Sequence, residues 1–418
     1  MGAGTARGGA CLLISGNVRK NMEFVVFAGV LLLLFIFMIV QELIQTKNQE
    51  KLFKKYLREN YGKEPPKEYS LERFARLGSY LERHKEEKQL DDITWNDLGM
   101  DEVFRRIDRT YSAAGEEYLY YTLRNISCGR EAMEHLEEVV NWLQEQEDIK
   151  VRIQLLMKRL GHLGKYSLYD YLDNLDYLGE RSNRKIVLGN LLYLPFLLLL
   201  FVQPAMGTIG IVLCMLWHIM TYFREKKVIE PYIISFAYVL RLIDVCEELE
   251  KQKIPVYRRE LDELREVLKS LRELRRGSYW VMAGNQGKIG GNPLDILADY
   301  LRMILHLDIF QFNRMLEKLR KKTGQVETML AITGYLDMAI SVGGFRKSLE
   351  GYCIPKLEED TEKAFLHMKK GWHPLLSQPV KNSIRADRGI LLTGSNASGK
   401  STFLKMVAVN AVLAQTIH

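Results

Sequence analysis

Hydrophobic and polar positions follow two kinds of pattern along the chain. Two stretches carry no charged residue: residues 24–40, which number 17, and residues 186–223, which number 38. Outside them, apolar residues recur every three or four positions among Lys, Arg and Glu, as in amphipathic helices. The pattern therefore predicts a mostly α-helical protein with transmembrane helices. Only the last part of the chain has a different pattern, which predicts both a strand and a helix.

The first uncharged stretch is long enough to be a membrane span. As a helix, residues 24–40 would cover about 26 Å, slightly less than the thickness of a bilayer core. We favour a retained anchor in segment 1–44 over a cleaved signal peptide, because residues 41–44, Gln-Glu-Leu-Ile, offer no small-residue cleavage site. Residues 1–21 are Gly-rich, which also suggests a translation start at Met22.

The second uncharged stretch, residues 186–223, predicts a transmembrane hairpin. Residues 203–208, Gln-Pro-Ala-Met-Gly-Thr, break it near its middle, and basic residues flank both ends. By the positive-inside rule both ends face the cytoplasm, which predicts a multi-pass protein of the cell membrane. A hairpin buried in a protein core is the alternative. His218 lies within the stretch, six residues before Arg224, either as an interfacial side chain or as a functional intramembrane residue.

Helical periodicity covers most of the remaining chain. Residues 45–95 are dense in Lys and Glu and predict juxtamembrane helices with solvated faces. Residues 96–185 and 224–342 predict a helical core. One clear apolar stripe follows Pro255 and consists of Leu261, Leu264, Val267, Leu268, Leu271 and Leu274.

Composition and charge narrow the class of protein. A chain of 418 residues can hold two or three domains, and a net charge of +7 does not by itself imply a nucleic-acid ligand. The five cysteines are scattered without a C-x-x-C pair. This spacing indicates a reducing compartment and argues against a disulfide scaffold or a zinc site.

The last part of the chain carries a phosphate-binding motif. Residues 394–402 read Gly-Ser-Asn-Ala-Ser-Gly-Lys-Ser-Thr and fit the P-loop pattern G-x-x-x-x-G-K-[ST]. Gly394 and Gly399 would let the backbone turn its N–H groups toward phosphate oxygens. Lys400 would bind the outer phosphates of ATP, and Ser401 would ligate Mg²⁺. The predicted ATP-binding residues of the motif are Gly394, Ser395, Asn396, Ala397, Ser398, Gly399, Lys400, Ser401 and Thr402.

The residues around the motif fit the start of an α/β P-loop ATPase domain over residues 343–418. Ile390–Leu392 is a short apolar run that predicts a buried strand, and residues 403–414 predict a helix. A P-loop ATPase also needs a carboxylate from another strand to hold Mg²⁺ and position water. We expect that carboxylate beyond His418, so these 418 residues alone are not expected to hydrolyse ATP.

Several separated stretches together resemble the MutS family of DNA mismatch-repair ATPases. The P-loop has Asn at its third position as in that family, although Ala397 stands where most members have Met. Residues 372–376, Trp-His-Pro-Leu-Leu, resemble the His-Pro motif that opens the family's ATPase domain. Residues 335–337 and 352–355 resemble the junction between the family's lever helices and that domain.

The start of the family's helical core also has a counterpart. Residues 107–110, Ile-Asp-Arg-Thr, resemble it together with Gly115 and Leu119–Arg124. The resemblance thus runs from about residue 97 to the end of the chain and is interrupted by the predicted hairpin. Residues 1–95 contain no counterpart of the family's mismatch-reading domain, which puts mismatch repair itself in doubt.

The resemblance implies a function as well as a fold. It implies a MutS-like helical core and lever followed by an ATPase domain that faces the cytoplasm, a homodimer, and adenine packed against Val380 and Asn382. DNA is implied as a ligand by family analogy only. The favoured interpretation is a membrane-tethered, ATP-driven conformational switch. Two alternatives stay open: an ABC-type transporter ATPase, and a non-catalytic membrane scaffold that dimerises through its helices.

Overall fold

The computed structural model describes most of the chain after residue 43. The described residues are 29, 36–41, 44–63, 69, 71–86, 88–126, 129–163, 167–275, 293–358, 365–395 and 399–417. They divide into two compact units, residues 1–59 and residues 60–418. Helix α1 (residues 44–60) belongs almost wholly to the first unit. The anchor predicted over residues 24–40 lies largely outside the described residues.

The second unit is mostly helical and contains one small sheet. Its helices are α2 (Leu71–Arg83), α3 (Asp92–Leu98), α4 (Met100–Ile107), α5 (Ala113–Arg124), α6 (Gly129–Glu145), α7 (Glu147–Leu160), α8 (Leu168–Asp173), α9 (Arg184–Leu191), α10 (Tyr193–Val202), α11 (Pro204–Glu250), α12 (Arg258–Leu271), α13 (Pro293–Leu305), α14 (Leu307–Arg320), α15 (Thr323–Lys347) and α16 (Lys400–Ala414). Short 3₁₀ turns cover Leu175–Leu178, Pro255–Tyr257 and Arg272–Arg275. The strands are β1 (Leu366–Gly371) and β2 (Asn382–Ala386).

Helix α15 is the central element of the core. It is 25 residues long and packs against α5, α6, α7, α11 and α12. The crossing with α5 depends on Gly334, because a Cβ at this position would lie 2.6 Å from the carbonyl oxygen of Ala114. Two helix backbones can approach this closely only where one of them lacks a side chain.

A buried carboxylate joins the middle of α15 to the start of α5. Asp337 is fully buried and accepts hydrogen bonds from the N–H groups of Tyr111 at 3.0 Å and Ser112 at 2.8 Å. The Ser112 hydroxyl donates to the same carboxylate at 2.6 Å and, as the N-cap of α5, accepts from the N–H of Gly115 at 3.1 Å. Backbone donors at a helix N-terminus stabilise such a charge in the protein interior.

The residues just before α5 are fixed to α15 in the same way. The Ser341 hydroxyl accepts from the N–H of Arg109 at 2.7 Å and donates to the carbonyl of Ile107 at 2.9 Å. Asp108 is also buried and accepts from the N–H and the hydroxyl of Thr110. The Ile-Asp-Arg-Thr stretch therefore contacts the helix that contains Asp337, which lies 225 residues from Ser112 along the chain.

Helix α2 packs against α5 through an ion-pair cluster. The carboxylate of Glu116 on α5 is buried and accepts from Arg73 and Arg76 of α2, each at 2.6 Å. Burial alone would raise the pKa of Glu116, but the hydrogen bond from His162 and the charge of Arg73 outweigh it and hold the pKa below its usual value. Helix α2 lies in the segment predicted to have solvated faces, and the face with Arg76 and Leu77 is buried.

The predicted hairpin is present as a pair of antiparallel helical segments. It turns at Gln203, between the end of α10 and Pro204 at the start of α11. A Cβ at Gly207 would lie 2.6 Å from the backbone nitrogen of Leu200, so the two helices meet closely near the turn. Helix α11 then continues without a break to Glu250, which makes it 47 residues long.

Three of the described helices are long and apolar enough to cross a membrane. They are Arg184–Val202, which consists of α9 and α10 with Leu192 between them, Pro204–Glu250 (α11) and Thr323–Lys347 (α15). Only 6% of the most apolar window of the first is buried within the protein, against 83% for the third. The third is α15, whose apolar residues face other helices. In Arg184–Val202 and at the beginning of α11, the apolar side chains face outward instead. Leu198 and Phe201 are examples.

The structure confirms two other expectations for the helical part. The stripe after Pro255 lies on α12 and the following turn: Leu261, Leu264, Leu271 and Leu274 are buried, and Val267 and Leu268 pack at its edge. The end of the predicted helical core before α15 is also helical, and it forms two helices, α13 and α14, which are separated at His306.

The strand predicted for Ile390–Leu392 is absent. These residues have no regular secondary structure, and Leu391 is 87% exposed. The described sheet consists of β1 and β2, which pair antiparallel with each other, with Leu366 opposite Ala386. A strand needs a neighbour for its N–H and C=O groups. Since no described strand lies beside Ile390–Leu392, its apolar composition is not sufficient.

We predict that Asp337→Asn destabilises the protein by about 3 kcal/mol, because the new amide NH₂ would face N–H donors inside the core. The free energy of unfolding can be measured by chemical denaturation of detergent-solubilised protein, followed by circular dichroism at 222 nm. Asp262→Asn is the matched control, since Asp262 is exposed and pairs with Arg258 and Arg265 at the surface, and it should change the value by less than about 0.5 kcal/mol. Equal stability of the two variants would contradict the role of Asp337.

Candidate nucleotide-binding site

The P-loop motif lies at the N-terminus of α16. Gly399 is the N-cap of this helix and has φ +86°, a backbone conformation that glycine adopts without strain. Lys400 folds back, and its ammonium group donates to the carbonyl oxygens of Gly394 and Ser395, the latter at 2.7 Å. The two ends of the motif are therefore close together. Asn396, Ala397 and Ser398 lie outside the described residues.

The start of α16 has the electrostatic character that an anion requires. The helix is 15 residues long, and its first turn contains no acidic residue. Ser401 and Thr402 lie in this turn and are exposed. Free N–H groups and the helix dipole make such an end favourable for phosphate. Together with the Lys400 charge, the geometry can bind a phosphate group, and the Ser401 hydroxyl is accessible to a cation.

The buried face of α16 explains why the helix forms as predicted. Met406, Val409 and Val412 are buried, and their spacing of three residues places them on one face. The same helix also contacts the His-Pro stretch, because the side-chain amide of Asn410 donates to the carbonyl of Trp372 at 2.9 Å. The two motifs of the predicted ATPase domain are thus adjacent in the structure.

The His-Pro stretch has a defined local structure. His373 is buried, and its Nδ1 accepts from the N–H of Leu375 at 3.3 Å. Burial lowers the pKa of His373, and the nearby charge of Lys405 lowers it further. The neutral ring is therefore favoured at neutral pH and can accept this hydrogen bond. Trp372, the residue before His373, has a separate contact: the ammonium of Lys381 lies 5.1 Å from the centre of its ring.

Val380 and Asn382, the residues predicted to pack against adenine, lie next to each other. The side-chain amide of Asn382, the first residue of β2, donates to the carbonyl of Val380 at 3.0 Å. The Val380 side chain is 77% exposed. An exposed apolar side chain offers a surface on which an aromatic base could stack, and the adenine contact stays a prediction.

Arg346 links the site to the core, and the sequence pattern did not indicate it. It lies near the end of α15 and is almost fully buried. Its guanidinium donates to the carbonyl of Ile417, just after α16, at 2.8 Å and pairs with Glu137 of α6 at 2.8 Å. The sequence marks Arg346 only as a basic residue at the end of an apolar helix. Such a residue is usually exposed to solvent, so its buried contacts could not be inferred.

The sequence has partial relatives among known proteins, although no family model matches it. It is 33% identical over 110 residues to the DNA mismatch repair protein MutS of Acholeplasma laidlawii, which is 25% of this chain and 13% of that protein. It is 33% identical over 137 residues to MutS of Pelotomaculum thermopropionicum, and 28% identical over 123 residues to the human MutS protein homolog 4. About a quarter of this chain is similar to MutS proteins.

These matches cover only a small part of each relative. The aligned stretches span 12% of the human protein and 15% of the Pelotomaculum protein. The similarity is low in identity and partial, and it supports a relationship to MutS proteins. The activities of those whole proteins do not transfer with it.

We predict that Arg346→Lys loosens α16 from the core, because a lysine ammonium cannot reproduce both guanidinium contacts. Limited proteolysis should cut within residues 399–417 several-fold faster than in the unaltered protein, while helix content stays nearly unchanged. Cleavage sites can be identified by mass spectrometry.

The control for this experiment is Arg152→Lys, at an exposed position of α7, which should leave the cleavage rate unchanged. Identical cleavage rates in the two variants would show that Arg346 does not hold α16.

Proposed function

We propose that this protein is a membrane-tethered, MutS-like ATP-binding protein that acts as a conformational switch. The observation that carries the proposal is the geometry at the start of α16. Gly399 is left-handed, and Lys400 lies over the carbonyls of Gly394 and Ser395. The partial similarity to MutS proteins supports the MutS-like part of the proposal.

The residues of the loop fit ATP and Mg²⁺ by their chemistry. The N–H groups at the start of α16 would hold phosphate oxygens, Lys400 would offset their charge, and the Ser401 hydroxyl would ligate Mg²⁺. Val380 and Asn382 would contact the adenine ring. ATP supplies a γ-phosphate whose presence or absence distinguishes two states of the protein.

The contacts of α16 give the switch a route into the core. Arg346 joins the end of α16 to α15, and Asp337 joins α15 to the start of α5. A shift of α16 on nucleotide binding would therefore act on a helix that many other elements contact. We propose a homodimer as the active form, and DNA as a ligand on the strength of the names of the relatives.

Helix α11 supplies the membrane connection in this proposal. Its N-terminal part forms the hairpin with α10, and the same helix continues to Glu250 and packs against α7, α12 and α15. A continuous helix transmits a displacement along its axis. The hairpin over residues 186–223 would thus be both an anchor and a point at which the membrane and the helical core affect each other.

We predict that Lys400→Ala weakens the binding of ATP at least ten-fold, because the loop loses the only cation that contacts its described carbonyls. Affinity can be measured by isothermal titration with Mg²⁺ and a non-hydrolysable ATP analogue. Lys405→Ala is the matched control, one turn further along α16 and exposed, and its affinity should stay within about two-fold.

Two results would contradict the proposed function. One is equal affinity of the Lys400 and Lys405 variants, which would place the nucleotide elsewhere. The other is a full-length protein that binds no nucleotide but self-associates, which would favour the scaffold.

We also predict the topology of the hairpin. In a background with Cys11, Cys128 and Cys353 replaced by Ser, Gln203→Cys at the turn should react with a membrane-impermeant maleimide in intact cells. Tyr177→Cys, at an exposed position before α9, should react only after lysis, because both ends of the hairpin face the cytoplasm. Labelling of both positions only after lysis would contradict a membrane-spanning hairpin.

A further inference from the structure

Two histidines meet at the base of the hairpin. His218 of α11 and His306, between α13 and α14, are 1% and 5% exposed. Their Nδ1 atoms lie 3.2 Å apart, which is hydrogen-bond distance. The two residues are 88 positions apart in the sequence, so the pair joins the hairpin to the segment that precedes the central helix.

The surrounding hydrogen bonds assign the protons of the pair. The Thr221 hydroxyl has a single proton, which it donates to the carbonyl of Trp217 at 3.0 Å or His218 at 2.9 Å. The same hydroxyl lies 3.3 Å from Nε2 of His306. Because its proton is already used, the hydroxyl oxygen accepts this second hydrogen bond, and Nε2 of His306 is the protonated nitrogen that donates it. Then Nδ1 of His306 is an acceptor, and Nδ1–H of His218 donates to it. Only Nε2 of His218 is left to take up another proton.

The backbone at His306 has an uncommon conformation. His306 has φ +52°, a left-handed conformation that costs about 1 kcal/mol for a residue with a side chain. It separates α13 from α14, and the carbonyl of Leu305 accepts from the side-chain amide of Asn190, in the hairpin, at 3.1 Å. The junction is thus held on the hairpin by polar contacts in an otherwise apolar setting.

The neighbouring charged groups form their hydrogen bonds and ion pairs with other residues. Asp308 of α14 already accepts from the Tyr222 hydroxyl at 2.8 Å and from the N–H of Ile309 at 2.9 Å. Lys226 donates to Tyr222 at 3.1 Å and adds positive charge. On α13, Arg302 pairs with Asp299, and from α10 the ring of Tyr193 lies 5.0 Å from that of His218.

We propose that His218 and His306 form a proton-binding site that holds the α13–α14 junction on the hairpin while both rings are neutral. A proton added at Nε2 of His218 would place a positive charge in a buried site, and the junction would be released. The ligand of this site is the proton, and the inference does not depend on nucleotide binding. An ionisable residue within a membrane helix commonly has such a role.

The electrostatics of His306 agree with this geometry. Burial, together with the nearby His218, lowers the pKa of His306 from 6.5 to about 4. The folded state therefore takes up a proton less readily than the unfolded chain. Its stabilisation is complete above about pH 6.5 and is lost as the pH falls toward 4.

The proposal can be tested with Trp217, whose ring lies 5.0 Å from that of His218. In full-length protein containing 5-fluorotryptophan in detergent micelles, the ¹⁹F resonance of Trp217, assigned with Trp217→Phe, should shift between pH 7.5 and 4.5. In His218→Gln the shift should be almost abolished, because Nε2 of His218 is the nitrogen that takes up the proton and Gln does not titrate. The exposed control, His367→Asn on β1, should keep the shift.

A second variant keeps the test decisive. If circular dichroism shows that His218→Gln does not fold at pH 7.5, His306→Asn keeps the left-handed conformation but removes the ring that accepts from His218, and it should change the pH midpoint of the shift. A Trp217 resonance that does not change with pH in the unaltered protein would overturn the proposal. A shift that persists in folded His218→Gln, or a midpoint that is unchanged in folded His306→Asn, would overturn it as well.

Discussion

The hydrogen bonds between the carboxylate of Asp337 and the start of α5 are the contact on which the helical core depends. A buried carboxylate is unfavourable unless donors surround it, and here the N–H groups of Tyr111 and Ser112 and the Ser112 hydroxyl supply them. Gly115 completes the arrangement, since a Cβ there would lie 2.4 Å from a carboxylate oxygen. One polar contact thus sets the register of α15 against α5, and apolar packing alone would leave that register less defined.

The same helix connects the core to the candidate nucleotide site. Arg346 lies about two and a half turns beyond Asp337 on α15 and binds the carbonyl of Ile417. Both contacts are buried and use charged groups, so each is strong and sensitive to geometry. A helix fixed at two such points responds to a displacement of α16 as a rigid body. This is the physical basis on which we propose a switch.

A second long helix, α11, connects the core to the hairpin. Its first part presents apolar side chains outward, and its last part is buried among α7, α12 and α15. The pair of His218 and His306 lies where the character of this helix changes. In the proposed arrangement the nucleotide and the proton act at different ends of one connected set of helices.

The sequence by itself determined the local elements. Charge-free stretches, apolar periodicity, Pro204 and Pro255 specify most helices and the breaks before α11 and α12, because each depends on residues within one or two turns. The P-loop motif likewise indicated the helix after it and the backbone turn at Gly399, which the structure shows to be left-handed. The break at His306 has no such local signal.

Only the tertiary structure decided which distant residues meet. The contacts of Asp337 with Ser112, of Arg346 with Ile417 and of His218 with His306 join residues 71 to 225 positions apart, and no local pattern encodes such a pairing. The same reason explains the error at Ile390–Leu392. A helix satisfies its backbone hydrogen bonds within itself, whereas a strand forms only where the fold places another strand beside it.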